Sequence, residues 1–63
     1  MRIRLVVVEY GRVIKEQITT TDWFIKKYTN MTKEEKKELE KEIKEKGYTY
    51  FEIDTCLIYL YEE

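Results

Sequence analysis

Arg2-Ile3-Arg4-Leu5-Val6-Val7-Val8-Glu9, then Tyr10-Gly11, then Arg12-Val13-Ile14-Lys15-Glu16-Gln17-Ile18-Thr19 is the stretch that decides the fold. Two runs rich in β-branched residues flank a two-residue break containing glycine, a strong short-range sign of a β-hairpin. With Tyr10 and Gly11 as the loop, Glu9 faces Arg12, Val8 faces Val13, Val7 faces Ile14, Leu5 faces Glu16 and Ile3 faces Ile18. Side chains alternate between the faces of a strand, so Ile3, Leu5, Val7, Ile14 and Ile18 share one face, with Glu16 out of place among them. Arg2, Arg4, Val6, Val8, Val13, Lys15 and Gln17 fall on the other. Tyrosine is not the usual first loop residue, which leaves a longer loop as the alternative.

The C-terminal stretch, Tyr48 to Tyr61, is equally β-forming. A turn at Asp54-Thr55 folds it into a second hairpin, with Ile53 facing Cys56, Phe51 facing Ile58 and Thr49 facing Leu60. Tyr48, Tyr50, Glu52, Leu57, Tyr59 and Tyr61 then occupy the opposite face. Asp-Thr is weak turn chemistry, and one long bent strand is the competing reading.

Helices connect the two. Thr20, Thr21 or Asp22 can cap a short helical segment in which Phe24 and Tyr28 share a face, with Asn30 as its stop. Thr32-Lys33-Glu34-Glu35 matches a capping box, strong helix formers follow to Lys46, and Gly47 suits the position that ends a helix. Only Leu39 and Ile43 form an apolar stripe, so this helix rests on the sheet by a narrow edge. Pairs such as Glu40–Lys44 and Glu42–Lys46 add about 0.2–0.5 kcal/mol each.

The expected architecture is a single α+β domain over residues 1–63. An antiparallel sheet carries one main helix on one face, in the order ββαββ, or ββαβ if the C-terminal segment is a single strand. The expected core is Ile3, Leu5, Val7, Ile14, Ile18, Phe51, Ile53, Ile58 and Leu60 against Phe24, Met31, Leu39 and Ile43.

Composition narrows the function classes. The chain has 63 residues, a single cysteine, no histidine and no proline. No disulfide can form within it, and the usual Cys/His zinc site is excluded. The lone Cys56 fits a reducing compartment. The Leu5–Val8 run is too short for a signal peptide or a membrane span, so a cytoplasmic protein is expected. Charged residues make up 40% of the chain, serine and alanine are absent, and Asn30 and Gln17 are the only side-chain amides. That balance marks proteins of hot environments. In composition, though not in family, it resembles the small proteins of thermophilic archaea and their viruses. The net charge of −1 conceals an uneven distribution. Residues 1–31 carry six basic and three acidic groups, a net +3. Residues 32–63 carry six basic and ten acidic groups, a net −4.

No catalytic, cofactor or metal signature is present. Cys56 has no histidine to activate it, and the helix carboxylates belong to a solvated face. Glu52 and Asp54 lack the glycine-rich loop of a cation site. Gly11 and Gly47, the only glycines, cannot build a phosphate-binding loop. Trp23 beside Lys26 and Lys27 reads more readily as the closure of a small core than as a binding anchor.

One main helix covers one sheet face, leaving the second free. The first expectation is a non-enzymatic interaction or regulatory module that forms a homodimer, or binds a protein partner, through Val6, Val8, Val13, Tyr50, Leu57 and Tyr59. The alternative is single-stranded nucleic-acid binding by Arg2, Arg4, Lys15, Tyr48, Tyr50, Tyr59 and Tyr61, since rings interleaved with cations suit stacked bases and phosphates. A third reading leaves the face merely amphipathic. No membrane, metal or cofactor partner is expected.

Overall fold

Tyr10 and Gly11 both adopt positive φ, 49° and 77°, the conformation that a tight two-residue hairpin loop demands. A computed structural model describes residues 1–63. Strands β1 (Arg2–Glu9) and β2 (Arg12–Thr20) flank this turn, followed by helices α1 (Thr21–Tyr28) and α2 (Lys33–Lys46) and strands β3 (Tyr48–Ile53) and β4 (Cys56–Glu62). The sheet is four-stranded and antiparallel, in the order β2-β1-β4-β3. Each hairpin forms half of it, and β1 and β4 meet at its centre.

The second hairpin has the expected register, with Ile53 opposite Cys56, Phe51 opposite Ile58 and Thr49 opposite Leu60. Asp54 takes φ 55° in its turn, a conformation Asp tolerates better than most residues. A long bent strand is thereby ruled out.

In the first hairpin the register departs from expectation. Glu9 pairs with Arg12 and Val8 with Val13, but a shift between Val7 and Val8 sets Val7 opposite Lys15. Ile14 is the extra residue of a β-bulge. Beyond it every β2 residue changes face. Leu5 now pairs with Gln17 and Ile3 with Thr19, whereas Glu16 pairs with Val6 and Ile18 with Arg4. The slip removes the misfit of Glu16, which leaves the core side. It also corrects the expected core: Ile18 faces away from the helices, and Ile14 is 56% exposed.

α1 is a full eight-residue helix. The Thr20 hydroxyl accepts from the Trp23 amide, and the helix ends at Thr29, one residue before the expected Asn30, where both the amide and the hydroxyl of Thr29 donate to the Ile25 carbonyl. α2 carries the complete capping box: the Glu35 amide donates to the Thr32 hydroxyl, and the Thr32 amide to the Glu35 carboxylate. Gly47, at φ 84°, closes it. α2 lies over β3 and β4, and α1 adjoins β2 and α2.

Both helices therefore cover the same sheet face. Ile3, Leu5, Val7, Phe24, Leu39, Ile43, Ile58 and Leu60 form the core, with Phe51, Ile53, Trp23, Tyr28 and Met31 packed around it. Phe24 is its centre, its ring 5.3 Å from Phe51 and 5.5 Å from Tyr28. Burying side chains of this size stabilises by about 1.5–3 kcal/mol each. Trp23 meets Tyr28 edge-on and is flanked by the Lys15 ammonium, 5.1 Å from its ring.

Candidate interaction surface on the open sheet face

No element covers the second sheet face, and the ladders arrange its side chains in rows across the four strands. One row reads Ile18, Arg4, Tyr61, Tyr48; the next, Glu16, Val6, Tyr59, Tyr50; the third, Val13, Val8, Leu57, Glu52. The first hairpin contributes an aliphatic half with one carboxylate and two cations, Arg4 within these rows and Arg2 beyond the first of them. The second contributes a half dominated by tyrosine.

The four tyrosines form a continuous cluster. Centroids lie 6.0 Å apart for Tyr48–Tyr61, 6.1 Å for Tyr59–Tyr61 and 5.7 Å for Tyr50–Tyr59. Neighbours across strands and two apart along one strand fall within reach of rings this large. Arg4 bridges the halves, its guanidinium 4.8 Å from the Tyr61 ring centroid while Nη1 donates to Glu16 Oε1 at 2.9 Å. Val6 is nearly buried among these neighbours, at 9% exposure. Val13, Ile18, Tyr48 and Tyr50 stay 44–60% exposed, and Val8, Leu57, Tyr59 and Tyr61 are half-buried. Clustered apolar and aromatic side chains on an uncovered face are the ordinary mark of an interaction site.

All six residues of the expected partner surface lie on this face: Val6, Val8, Val13, Tyr50, Leu57 and Tyr59. Of the expected nucleic-acid contacts, Arg2, Arg4, Tyr48, Tyr50, Tyr59 and Tyr61 share it. Lys15 does not. The Ile14 bulge turns Lys15 to the helix side, over Trp23. Sequence reasoning missed Ile18 and Glu16 as members of the open face. The signal was there, in a carboxylate that spoiled an otherwise apolar stripe.

The remaining chemistry-bearing residues sit elsewhere. At the tips of the two hairpins the Cys56 thiol donates to Glu9 Oε2 at 3.6 Å, and the Thr55 hydroxyl donates to the same oxygen at 2.7 Å. Burial, reinforced by the Glu9 carboxylate, pushes the Cys56 thiol up from its ordinary value, which disfavours the reactive thiolate. A cleft of about 340 Å³ beside it is walled by Val7, Ile14, Tyr28, Ile53 and Ile58. Glu9, Lys15, Asp54 and Thr55 also line it, with the Glu9 carboxylate already engaged by Thr55 and Cys56. Glu52 lies on the open face and Asp54 in the turn, and no group of three ligating side chains is placed to hold a metal ion. No helix is long and apolar enough to cross a membrane.

No protein family, no curated protein and no solved structure matches this chain.

Proposed function

We propose that this chain is a small non-enzymatic interaction module that self-associates through its open sheet face. The observation that carries the reading is the one-sided cover: α1 and α2 lie on the same face, and the other presents Val6, Val8, Val13, Ile18 and Leu57 beside four tyrosines. A small domain buries a limited share of its surface alone and gains from association. The single cysteine supports a site of action inside the cell. The Lys- and Glu-rich, amide-poor composition supports a source in a hot environment.

Sedimentation across a concentration series tests the reading. A dimer is expected, and Val8→Lys splits it, because two-fold symmetry places each substitution in the interface twice. A chain that stays monomeric throughout overturns the proposal.

Single-stranded nucleic-acid binding is the second reading, favoured by the Arg4 guanidinium over the Tyr61 ring within the tyrosine cluster. Charge weighs against it. Arg4 is already paired with Glu16, Glu52 shares the face, and Lys15 lies on the other side. Arg2 is then the one unengaged cation for a phosphate backbone. A fluorescence titration with single-stranded oligonucleotides decides: monomeric protein that binds them with steep salt dependence transfers the function to this reading.

A further inference from the structure

We infer that the two copies stack face to face about a two-fold axis that runs parallel to the strands, above the seam between β1 and β4, so that the first hairpin of each copy lies on the second hairpin of the other. The inference rests on the self-association proposed above and specifies its geometry. A two-fold interface must be self-complementary, and the open face is divided into two unlike halves that match each other.

Rotation about this axis keeps each row in place and reverses its order. In the middle row Glu16 meets the partner's Tyr50, whose hydroxyl can donate to the carboxylate, and Val6 meets the partner's Tyr59. In the first row the Arg4 cation meets the partner's Tyr61. In the third, Val8 meets the partner's Leu57. In the first two rows aliphatic side chains are thus set against rings and the cation against an aromatic face, whereas in the third Val8 meets an aliphatic partner and Val13, at the rim, meets the partner's Glu52. Charge agrees, because the first hairpin, residues 2–20, has four basic and two acidic groups (net +2) and lies over the second, residues 48–62, with three acidic groups and no basic one (net −3).

The other face-to-face two-fold runs across the strands and fails both tests. It lays β2 on β2 and β3 on β3. In the middle row Glu16 then opposes its own copy, and like charges directly opposite are destabilising. Basic hairpin would also lie on basic hairpin. Four strands at about 4.8 Å spacing with three outward rows span roughly 19 by 20 Å. Two such faces cover roughly 760 Å² in plan, which places the contact among the small, transient interfaces below about 1,200 Å². The dimer is therefore concentration-dependent rather than obligate.

Crosslinking tests the arrangement. In a Cys56→Ser background, Glu16→Cys and Tyr50→Cys are made separately, one with a size tag. Both sites lie in the middle row, where the relative rotation of two packed sheets displaces them less than the edge positions of the outer rows. Packed sheets lie about 10 Å apart, so a thiol-reactive crosslinker of that length is used. Covalent dimers are expected only when the two variants are mixed, and only between Glu16→Cys and Tyr50→Cys copies. Crosslinking of either variant with itself, in protein that sediments as a dimer, overturns the axis while leaving self-association in place. A sedimenting dimer that crosslinks in no combination overturns it too, since either face-to-face axis brings one of these pairs within reach. Monomeric sedimentation without crosslinks overturns both the arrangement and the reading beneath it.

Discussion

Glu40 Oε2 accepts a hydrogen bond from the hydroxyl of Thr21, nineteen residues away in sequence, and so ties the body of α2 to the first turn of α1. Thr21 is fully buried, and its amide donates to the Met1 carbonyl at 2.9 Å. The Thr21 hydroxyl holds the Glu40 carboxyl below its ordinary value of 4.5; burial opposes this, and the N-terminal ammonium and Lys36 assist it. As pH falls, the unfolded chain takes up this proton before the folded one. Stability is therefore whole above about 4.5 and drains as pH drops through the lower, folded value. Glu40→Gln should cost about 1–2 kcal/mol at neutral pH and flatten the loss of thermal stability on acidification. Melts that fall equally steeply with pH in both proteins would remove Glu40 from the acid response.

The capping box predicts a coupled pair. Thr32→Ala leaves the Glu35 amide without its acceptor and should destabilise by about 1 kcal/mol. Thr32→Ala with Glu35→Ala should cost less than the two single changes together, because both belong to one reciprocal motif. Strict additivity in denaturant titrations would separate the two contacts.

Deleting Ile14 should leave the fold intact. Val8 already pairs with Val13 and Val7 with Lys15, so removing the residue between them restores a regular ladder without turning any other side chain over. We expect a loss below about 2 kcal/mol, in the range of ordinary single changes, with Trp23 fluorescence retained. If instead the ladder ran without a bulge, the deletion would flip Lys15 to Thr20 onto the wrong faces. Unfolding by far-ultraviolet circular dichroism would be the result.

The two faces of β1 should respond differently to truncation. Leu5→Ala and Ile58→Ala remove fully buried core side chains and should each cost about 2–5 kcal/mol. Val8→Ala, on the open face, should cost less than about 1.5 kcal/mol at concentrations where the chain is monomeric. Equal losses at Leu5 and Val8 under those conditions would mean that the open face is covered within one copy.

The second hairpin was legible in the sequence because Phe51, Ile53, Ile58 and Leu60 alternate cleanly with tyrosines, and a slip by one residue would bury those tyrosines. The first hairpin was legible only near its turn. Val6, Val7 and Val8 form a run without alternation, so pattern alone does not say where the ladder shifts. Ile14 and Ile18 resembled core residues by type. Of the open face, the aromatic half and Arg4 could be placed from alternation alone. Ile18 and Glu16 could not, because their place depends on the bulge, and Lys15 left the face for the same reason. The caps of α2 were readable because they are encoded locally, in Thr32–Glu35 with its reciprocal hydrogen bonds and in Gly47, whereas the start of α1 stayed open among Thr20, Thr21 and Asp22 and its stop fell at Thr29 rather than Asn30.

The pairing of β1 with β4 also sets the order in which the chain comes together. Both hairpins and the capped α2 are closed by contacts near in sequence. The central ladder instead joins Glu9 to Cys56 and Ile3 to Glu62, which requires a loop spanning most of the chain, and such non-local closures slow folding. The seam at the middle of the sheet is thus the step that the rest of the molecule waits for. Weakening it at Leu5 or Leu60 is expected to lower the folding rate.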